Sequence, residues 1–182
     1  MATTTWELDP THSEIQFKIK HLMISTVTGQ FGSFKATVKT EDDDFATART
    51  EFEAGIHSIS TNNEQRDQHL QNGDFFDVEK YPKILFTGDR MEKTGTDTFK
   101  LHGILTMRGK ALPVVLDVEW GGTGSDPWGN TRAGFAVSGK INRSDFGLSF
   151  GLVSETGNIM LGDEVKLLAN VQFVKQAELQ PA

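Results

Sequence analysis

Apolar and polar residues alternate along most of the chain with a period of two, which is the pattern of strands that are buried on one face. In the first clear segment, Ile15, Phe17 and Ile19 lie on one face, and polar side chains lie between them. The alternation recurs over residues 34–38, 52–58, 84–86, 99–107, 114–120, 135–141 and 165–173. The pattern therefore predicts eight strands.

Residues that favour turns separate many of these strands, as at 94–97 and 125–130. Short connections favour antiparallel neighbours, because parallel strands need a crossover of a dozen or more residues. Eight antiparallel strands can leave two open edges or close into a barrel, and closure removes the exposed edges. The sequence thus predicts an all-β fold with an eight-stranded antiparallel barrel.

One segment, residues 61–72, breaks the period-two pattern after the third strand. Thr61 and Glu64 have the spacing of a capping box, in which the Thr hydroxyl accepts a bond from the third backbone N–H and the Glu side chain reaches back. The spacing predicts one short helix that begins at Thr61 and ends at about residue 72. Leu70 and His69 are its inward candidates, so most of this helix is expected to be solvated.

The inward faces of the predicted strands contain most of the 13 Phe residues. They also contain small residues, namely Ala54, Ser58, Gly103, Gly139 and Ala169. Small residues on an inward face either fit the taper of a barrel or leave a cavity. A filled interior and a ligand-binding cavity therefore remain as alternatives.

The composition excludes several classes of function. The 182 residues suit a single domain over 1–182, and 18 basic against 25 acidic residues give a net charge of −7. Binding to nucleic acid is not expected, because it requires clustered positive charge. The chain has no cysteine, which excludes disulfides, thiolate metal sites and a Cys nucleophile. No histidine spacing predicts a metal site, and no cofactor is expected.

No apolar run approaches the ~18–20 residues that span a bilayer, so stable membrane insertion is not expected. The first seven residues have neither a basic start nor an apolar stretch, and they do not resemble a secretory signal peptide. We therefore expect a cytoplasmic protein, or a periplasmic or secreted protein whose leader has been removed.

Few side chains are candidates for chemistry. His21 falls on an apolar face, where it is either a hydrogen-bonded core residue or a polar contact inside a cavity. Arg66 and Asp67 are expected to form an ion pair or to anchor the helix to the barrel. No nucleophile elbow and no distinctive carboxylate pair is present, so the sequence offers little for catalysis.

Several blocks carry a family resemblance through their order and spacing. They include Trp-Glu-Leu-Asp-Pro-Thr-His-Ser at 6–13, Ser-Ile-Ser-Thr-Asn-Asn at 58–63, Asp-Phe-Phe-Asp at 74–77, Tyr-Pro-Lys-Ile-Leu-Phe at 81–86, and the blocks at 17–31, 103–109 and 141–148. Together they resemble the bacterial YceI family, the polyisoprenoid-binding proteins with a lipocalin-like barrel. The resemblance extends from Trp6 to Phe173.

The resemblance implies a lipocalin-like barrel with a helix near one end, a long isoprenoid chain in an apolar tunnel, and a polar head group near the mouth. It also implies a non-catalytic protein and a homodimer. Combined with the inward pattern, it predicts a tunnel wall of Phe17, Ile19, Phe31, Phe52, Ile56, Leu70, Phe76, Phe86, Leu105, Val137 and Phe146, with His21 as the polar contact.

The sequence thus favours binding and transport or storage of a long-chain isoprenoid lipid, a quinone precursor or a polyprenyl compound. Each buried CH₂ is worth ~0.8 kcal/mol, so an apolar tunnel can bind such a tail tightly. The alternative is an enzyme that uses His21 or the Arg66, Asp67 and His69 cluster as acid–base groups. A third possibility is a filled barrel that acts through a dimer or partner surface.

Overall fold

The computed structural model describes residues 2–151 and 161–177, and this part of the chain contains eleven β-strands and one α-helix. The strands are β1 (Thr3–Leu8), β2 (Glu14–His21), β3 (Ser25–Phe31), β4 (Phe34–Glu41), β5 (Asp44–Gly55), β6 (Ile59–Ser60), β7 (Lys83–Lys93), β8 (Thr98–Met107), β9 (Lys110–Ser125), β10 (Thr131–Asn142) and β11 (Leu161–Lys175). The helix α1 (Glu64–Gln71) lies between β6 and β7. Short 3₁₀ turns occupy Pro10–His12, Ile56–Ser58 and Arg143–Phe146.

The strands form a closed ring with eight positions. Its order is β1-β4-β5-β7-β8-β9-β10-β11, and an antiparallel pairing of β1 with β11 closes it. The three remaining strands extend this wall, since β2 pairs with β11, β3 with β2, and β6 with β3, all antiparallel. The predicted eight-stranded antiparallel barrel is confirmed.

At three of the eight positions around the ring, two strands follow one another along the barrel wall. These pairs are β1 with β2, β3 with β4, and β5 with β6. The sequence pattern missed β1, β3 and the two-residue β6. In β1 the inward residues are Thr4, Trp6 and Leu8, and the polar Thr4 shortens the apolar alternation to two positions. In β3 an inward position is Gly29, which has no side chain to mark the buried face.

The helix begins three residues later than predicted. Asn63 is its N-cap, and its side-chain oxygen accepts a bond from the backbone N–H of Arg66 at 3.0 Å. The predicted capping box is therefore wrong. Thr61 is buried and instead donates its hydroxyl to Asp67 at 2.6 Å and accepts a bond from Nε of Arg66 at 2.7 Å. Arg66 and Asp67 thus anchor the helix to the residue that follows β6.

Aromatic side chains fill one end of the barrel, which we call the aromatic end. Trp6 is fully buried against Phe45, with 5.0 Å between their ring centroids, and Phe45 meets Phe135 at 4.9 Å. Phe135 in turn contacts Phe173 at 6.1 Å. The opposite end, which carries α1, is called the helix end.

One small residue does not face inward as predicted. Ser58 lies in the 3₁₀ turn that separates β5 from β6, and its hydroxyl donates to the carbonyl oxygen of Gly55 at 2.6 Å. The turn interrupts the strand, so the period of two does not continue through it.

Candidate functional site

The barrel encloses two adjoining cavities. The inner cavity has a volume of about 200 Å³ and lies toward the aromatic end, whereas the outer cavity of about 370 Å³ lies beneath α1. Both cavities are lined by the same five side chains, namely Phe17, Phe31, Ile84, Met107 and Leu167. These five form a constriction between the cavities. The interior therefore contains space that side chains do not fill, and the cavity alternative holds over the filled barrel.

The inner cavity is apolar. Among the described residues, Gln16 and Thr50 are the polar side chains in its lining, and no charged group faces it. Phe52, Phe86 and Leu105 are typical of the remaining wall. Such a wall offers dispersion contacts and the hydrophobic effect, and it suits a ligand portion without polar atoms.

Glycines in the wall accommodate aromatic rings. A Cβ placed on Gly29 would overlap the ring of Phe17, so this ring occupies the space next to the backbone of β3. Likewise, a Cβ on Gly103 would lie 2.6 Å from the ring of Phe86. The rings rest against backbone that lacks a side chain, which leaves the lumen open. Small inward residues thus create space for both rings and ligand.

The outer cavity differs in its chemistry, because polar and cationic side chains join the apolar wall. Its polar lining consists of His21, Thr61, Arg66, His69 and Arg143. No acidic side chain lines it among the residues that the structure describes. The polar part of this lining is therefore basic or neutral.

Arg143 is the most deeply buried of these polar groups, with 3% of its surface exposed. Its guanidinium donates to four carbonyl oxygens, those of Leu148 at 2.6 Å, Phe150 at 2.7 Å, Gly162 at 2.9 Å and Leu161 at 3.2 Å. These bonds tie the residues after the last 3₁₀ turn to the start of β11. Sequence analysis did not single out Arg143, because its burial depends on carbonyls from two distant segments.

Burial lowers the pKa of the Arg143 guanidinium, and the nearby carboxylate of Asp163 opposes this shift. Asp163 itself accepts bonds from the backbone N–H and the hydroxyl of Ser144, both at 2.8 Å. Carbonyl oxygens, together with a carboxylate at longer range, thus compensate the buried charge.

The histidines of the outer cavity lie in different surroundings. His21 is exposed at the mouth, so its interpretation as a core histidine is wrong. Nε2 of His69 lies 2.9 Å from a carboxylate oxygen of Asp74, and its ring packs 5.1 Å from the rings of Phe75 and Phe150. Because Arg66 and Asp67 are both bound to Thr61, the proposed cluster with His69 does not converge on one point.

Most of the predicted wall residues lie on the cavities. Phe52, Phe86, Leu105 and Val137 line the inner cavity; Ile19, His21, Leu70 and Phe76 line the outer cavity; and Phe17 and Phe31 line both. Ile56 and Phe146 line neither, and they are buried in the surrounding core. Both lie in 3₁₀ turns, where strand parity no longer decides which way a side chain faces.

Three residues of the constriction, Ile84, Met107 and Leu167, were not among the predicted site residues. Each has inward parity in its predicted strand, so the alternation could have identified them. Phe75 and Phe150 were missed for a different reason, since they lie outside the strands and reach the outer cavity through the loops around α1.

An antiparallel barrel that encloses an apolar cavity with a polar mouth defines a lipocalin-like binding protein. The chain belongs to the YceI-like domain family, whose match spans residues 6–173.

Relatives agree with this assignment. A UPF0312 protein of Staphylococcus aureus (strain MSSA476) is 37% identical over 171 residues, which are 93% of this chain and 97% of that protein. The crystal structure of a Campylobacter jejuni YCEI protein is 35% identical and has a TM-score of 0.75, with 87% of this chain and 90% of that chain covered.

Two more distant structures share the fold. Burkholderia cenocepacia BcnA has a TM-score of 0.79 at 23% identity, covering 91% of this chain and 98% of that one. A polyisoprenoid binding domain from Saccharophagus degradans has a TM-score of 0.66 at 16% identity, covering 94% and 98%. At these identities the likeness shows the fold.

The described residues contain neither a candidate membrane span nor a candidate metal site. Residues 2–151 and 161–177 contain no helix with the length and apolar character of a membrane span. In the same ranges, no three histidine or carboxylate side chains are grouped as a metal site would require.

Proposed function

We propose that the protein binds a long-chain isoprenoid lipid, with the tail in the inner cavity and the head group in the outer cavity, and carries or stores it without catalysis. The observation that carries this proposal is the apolar inner cavity, which adjoins an outer cavity whose polar side chains are basic or neutral. The polyisoprenoid binding domain of Saccharophagus degradans, which has the same fold, supports the choice of ligand class.

The length of the tunnel favours a long tail. Residues of β11 from Leu161 to Phe173 line the two cavities in succession. At ~3.3 Å per residue this stretch measures about 40 Å, and a strand tilt of ~40° reduces it to about 30 Å along the barrel axis. That is about the thickness of a whole bilayer core, and an ordinary acyl chain spans half of it. The tunnel therefore suits a tail longer than that of a common phospholipid.

The outer cavity favours a head group with acceptor oxygens. Nε and Nη2 of Arg66 bind Thr61, and Nε2 of His69 lies against Asp74. A hydroxyl, carbonyl or phosphate oxygen would therefore accept bonds from the remaining nitrogens of Arg66 and from the ring of His21. The surrounding Phe75 and Phe150 would shield such bonds from water. A head group bound there would fix which end of the lipid enters first.

The homodimer remains a prediction. Leu85, Ile104 and Val115 are exposed on the outer face of three adjacent strands, and Ile104 lies directly opposite Thr87 on one side and Pro113 on the other. A second copy of the chain would cover this apolar surface. We expect Ile104→Lys to shift a dimer toward monomer in sedimentation velocity, with Thr98→Lys at the far end of the same strand as the control.

The test of lipid binding is mass spectrometry of the purified protein, first under native conditions and then after organic extraction. We expect a bound species that extracts as a polyprenyl compound. Should the protein be purified empty, titration with quinones and polyprenyl alcohols follows, and failure of every one of them to bind would overturn the proposal.

A matched pair of variants locates the ligand. Ala169 lines the inner cavity, so Ala169→Phe should fill part of the tunnel and lower lipid occupancy. The neighbouring Asn170 is exposed, and Asn170→Phe should leave occupancy unchanged. Equal occupancy in both variants, with both proteins folded, would place the lipid elsewhere.

A further inference from the structure

The hairpin between β2 and β3 exposes three consecutive apolar side chains at its tip. Leu22, Met23 and Ile24 have 45%, 57% and 82% of their surface exposed. The backbone N–H of Ile24 donates to the carbonyl oxygen of His21 at 3.2 Å and closes the turn. Exposed apolar residues are common singly, but three in succession at one tip require an explanation.

The backbone of this tip is also unusual. Leu22 and Met23 have φ values of 53° and 59°, in the left-handed region that disfavours residues with a Cβ. The other described non-glycine residues with positive φ are Asp42, Asn62, Asp77 and Arg108, all of them polar. Two left-handed central residues in a hairpin turn are best supplied by Asn-Gly. The tip therefore contains residues that are unfavourable in this turn, and it exposes apolar side chains to water. Sequences that conflict with the local backbone in this way often mark functional sites.

This tip stands at the mouth of the outer cavity. The same hairpin contributes Ile19, His21 and Val27 to the cavity wall, so the tip extends directly from that wall. Phe150, another residue of the outer cavity, has 47% of its surface exposed. Exposed apolar groups thus border the opening through which a lipid would enter.

Positive charge accompanies the tip in an otherwise acidic protein. Residues 15–31, which form this hairpin, contain two lysines and no Asp or Glu, although the whole chain has a net charge of −7. Lys18 lies directly opposite Lys166 of β11, which in turn lies opposite Lys140 of β10. Glu164 lies 3.8 Å from Lys140 and compensates its charge. Like charges in register across strands are unfavourable, so Lys18 and Lys166 point to a negatively charged partner.

We propose that the β2–β3 tip docks the protein reversibly on an anionic lipid bilayer, with the mouth of the outer cavity facing the membrane. The tip would insert among the acyl chains, and Lys18, Lys20 and Lys166 would approach the anionic head groups. A lipid could then pass between bilayer and tunnel without crossing water. This inference rests on the proposed lipid binding.

A bilayer fits this surface better than a protein partner does. A stable protein interface buries about 800 Å² on each side, which three side chains at a hairpin tip do not provide. A few inserted apolar groups combined with basic residues are sufficient for reversible membrane association.

Flotation with vesicles tests the apolar part. Leu22→Asn/Met23→Gly/Ile24→Thr replaces the tip with favourable turn residues, so this variant should unfold at a higher temperature than the natural protein. We expect it to bind about tenfold less to phosphatidylcholine vesicles that contain phosphatidylglycerol. The control is Trp128→Ser, which removes an 80% exposed tryptophan from the β9–β10 loop at the aromatic end and should leave binding unchanged.

The charge is tested separately with Lys18→Gln/Lys20→Gln/Lys166→Gln. Binding to phosphatidylglycerol-containing vesicles should fall by about fivefold for each lysine that reaches the surface, and added salt should reduce this difference. Failure of the natural protein to float with anionic vesicles, or equal flotation of the tip variant, would overturn the proposal.

Failure of docking is distinguishable from failure of lipid binding. The tip residues line neither cavity, so the tip variant should take up polyprenyl alcohol delivered in detergent as well as the natural protein does. Uptake from detergent without vesicle binding would refute docking alone. Vesicle binding without uptake would refute the proposed function and leave the docking surface in place.

Discussion

The two ends of the barrel are stabilised by different interactions. At the aromatic end, packed rings fill the interior, and Arg132 joins Asp9 and Asp126 on the outside, at 2.8 Å in each case. At the helix end, arginines bind backbone carbonyl oxygens of the loops. Arg143 binds four of them, and Arg108 binds those of Gly147 at 2.6 Å and Gly73 at 2.9 Å.

This difference follows from what each end has to do. A packed aromatic cluster stabilises the fold by occupying space, which excludes a ligand. A guanidinium has five N–H donors in a planar group, and it can join loop carbonyls while the space beside them stays empty. The loops at the mouth of a cavity are therefore best stabilised by hydrogen bonds, whereas the opposite end is stabilised by packed side chains.

The largest expected effect concerns packing at the aromatic end. Trp6→Ala removes a fully buried ring and the bond from its Nε1 to Thr40, and we expect a loss of about 3–5 kcal/mol in the free energy of unfolding. Trp6 lines neither cavity, and Phe45 lies between it and the inner cavity, so lipid occupancy of the folded fraction should change little. Urea denaturation and native mass spectrometry measure the two quantities, with Trp128→Ala as the exposed control.

Reduced lipid occupancy in folded Trp6→Ala would contradict the separation of the two ends. Trp6→Phe offers a milder version, since it keeps most of the packing and removes the bond to Thr40. It should lose less stability than Trp6→Ala and should also keep its lipid.

Arg143 provides the corresponding test at the helix end. Arg143→Met removes the hydrogen-bond donor of several buried carbonyls, including those of Leu148 and Gly162. We expect the free energy of unfolding to fall by about 2–3 kcal/mol. Lipid occupancy should fall as well, because these carbonyls belong to segments that form the mouth. Arg108→Met, at a less buried arginine, should cost less in urea denaturation. Unchanged lipid occupancy in folded Arg143→Met would show that the hydrogen bonds of Arg143 contribute to stability and not to lipid binding.

Sequence alone predicted the barrel well because its evidence is spread over the whole chain. Each strand repeats the same alternation, so a missed segment such as Thr3–Leu8 changes a strand boundary but not the architecture. The wall was likewise predictable where parity holds, as at Phe86 and Leu105. The prediction of the wall failed at Ile56 and Phe146, because both lie in 3₁₀ turns that interrupt the strand alternation.

Other features depend on tertiary contacts that no local pattern encodes. Thr61 has the spacing of a helix cap, but Arg66 and Asp67 bind its hydroxyl, and Asn63 takes the capping position. Arg143 is an ordinary surface residue by type, and carbonyls far apart in sequence make its burial favourable. His21 shares the apolar face of its strand, yet that strand ends at the mouth and leaves the ring exposed.

The constriction offers a more selective test of the tunnel. In Gly29→Ala, the new methyl group would occupy the space of the Phe17 ring and push this ring toward the lumen. We expect binding of long polyprenyl alcohols to weaken by about tenfold, and binding of short ones that fit the outer cavity to change little. Gly32→Ala is the matched control, because its Cβ would meet no atom closer than 3.9 Å.

A second substitution identifies the cause of this effect. Phe17→Leu in the Gly29→Ala background shortens the side chain at the constriction and should restore much of the long-chain affinity. Equal weakening of short and long alcohols in Gly29→Ala would mean that the constriction does not separate the two cavities for ligands.

The smallest expected effect is the pH dependence of the ion-pair network at the aromatic end. The hydroxyl of Thr11, the guanidinium of Arg132 and the ring of His12 hold the pKa of Asp9 well below its usual range. In the unfolded chain, Asp9 titrates at about pH 4. Because the pKa is lower in the folded state, the stabilisation is complete above pH 4 and decreases as the pH falls below that value. We therefore expect the melting temperature of the natural protein to decline from pH 6 to pH 3 more than that of Asp9→Asn.

Asp117→Asn removes an exposed ion pair with Lys100 and serves as the control, since such pairs contribute little to stability. Its melting temperature should follow that of the natural protein across the same range. Lipid occupancy should not follow the titration of Asp9, because the network lies outside the barrel at the end away from the mouth. Release of lipid in parallel with the melting change of Asp9 would connect the two ends, and the aromatic end would then regulate the site as well as stabilise the fold.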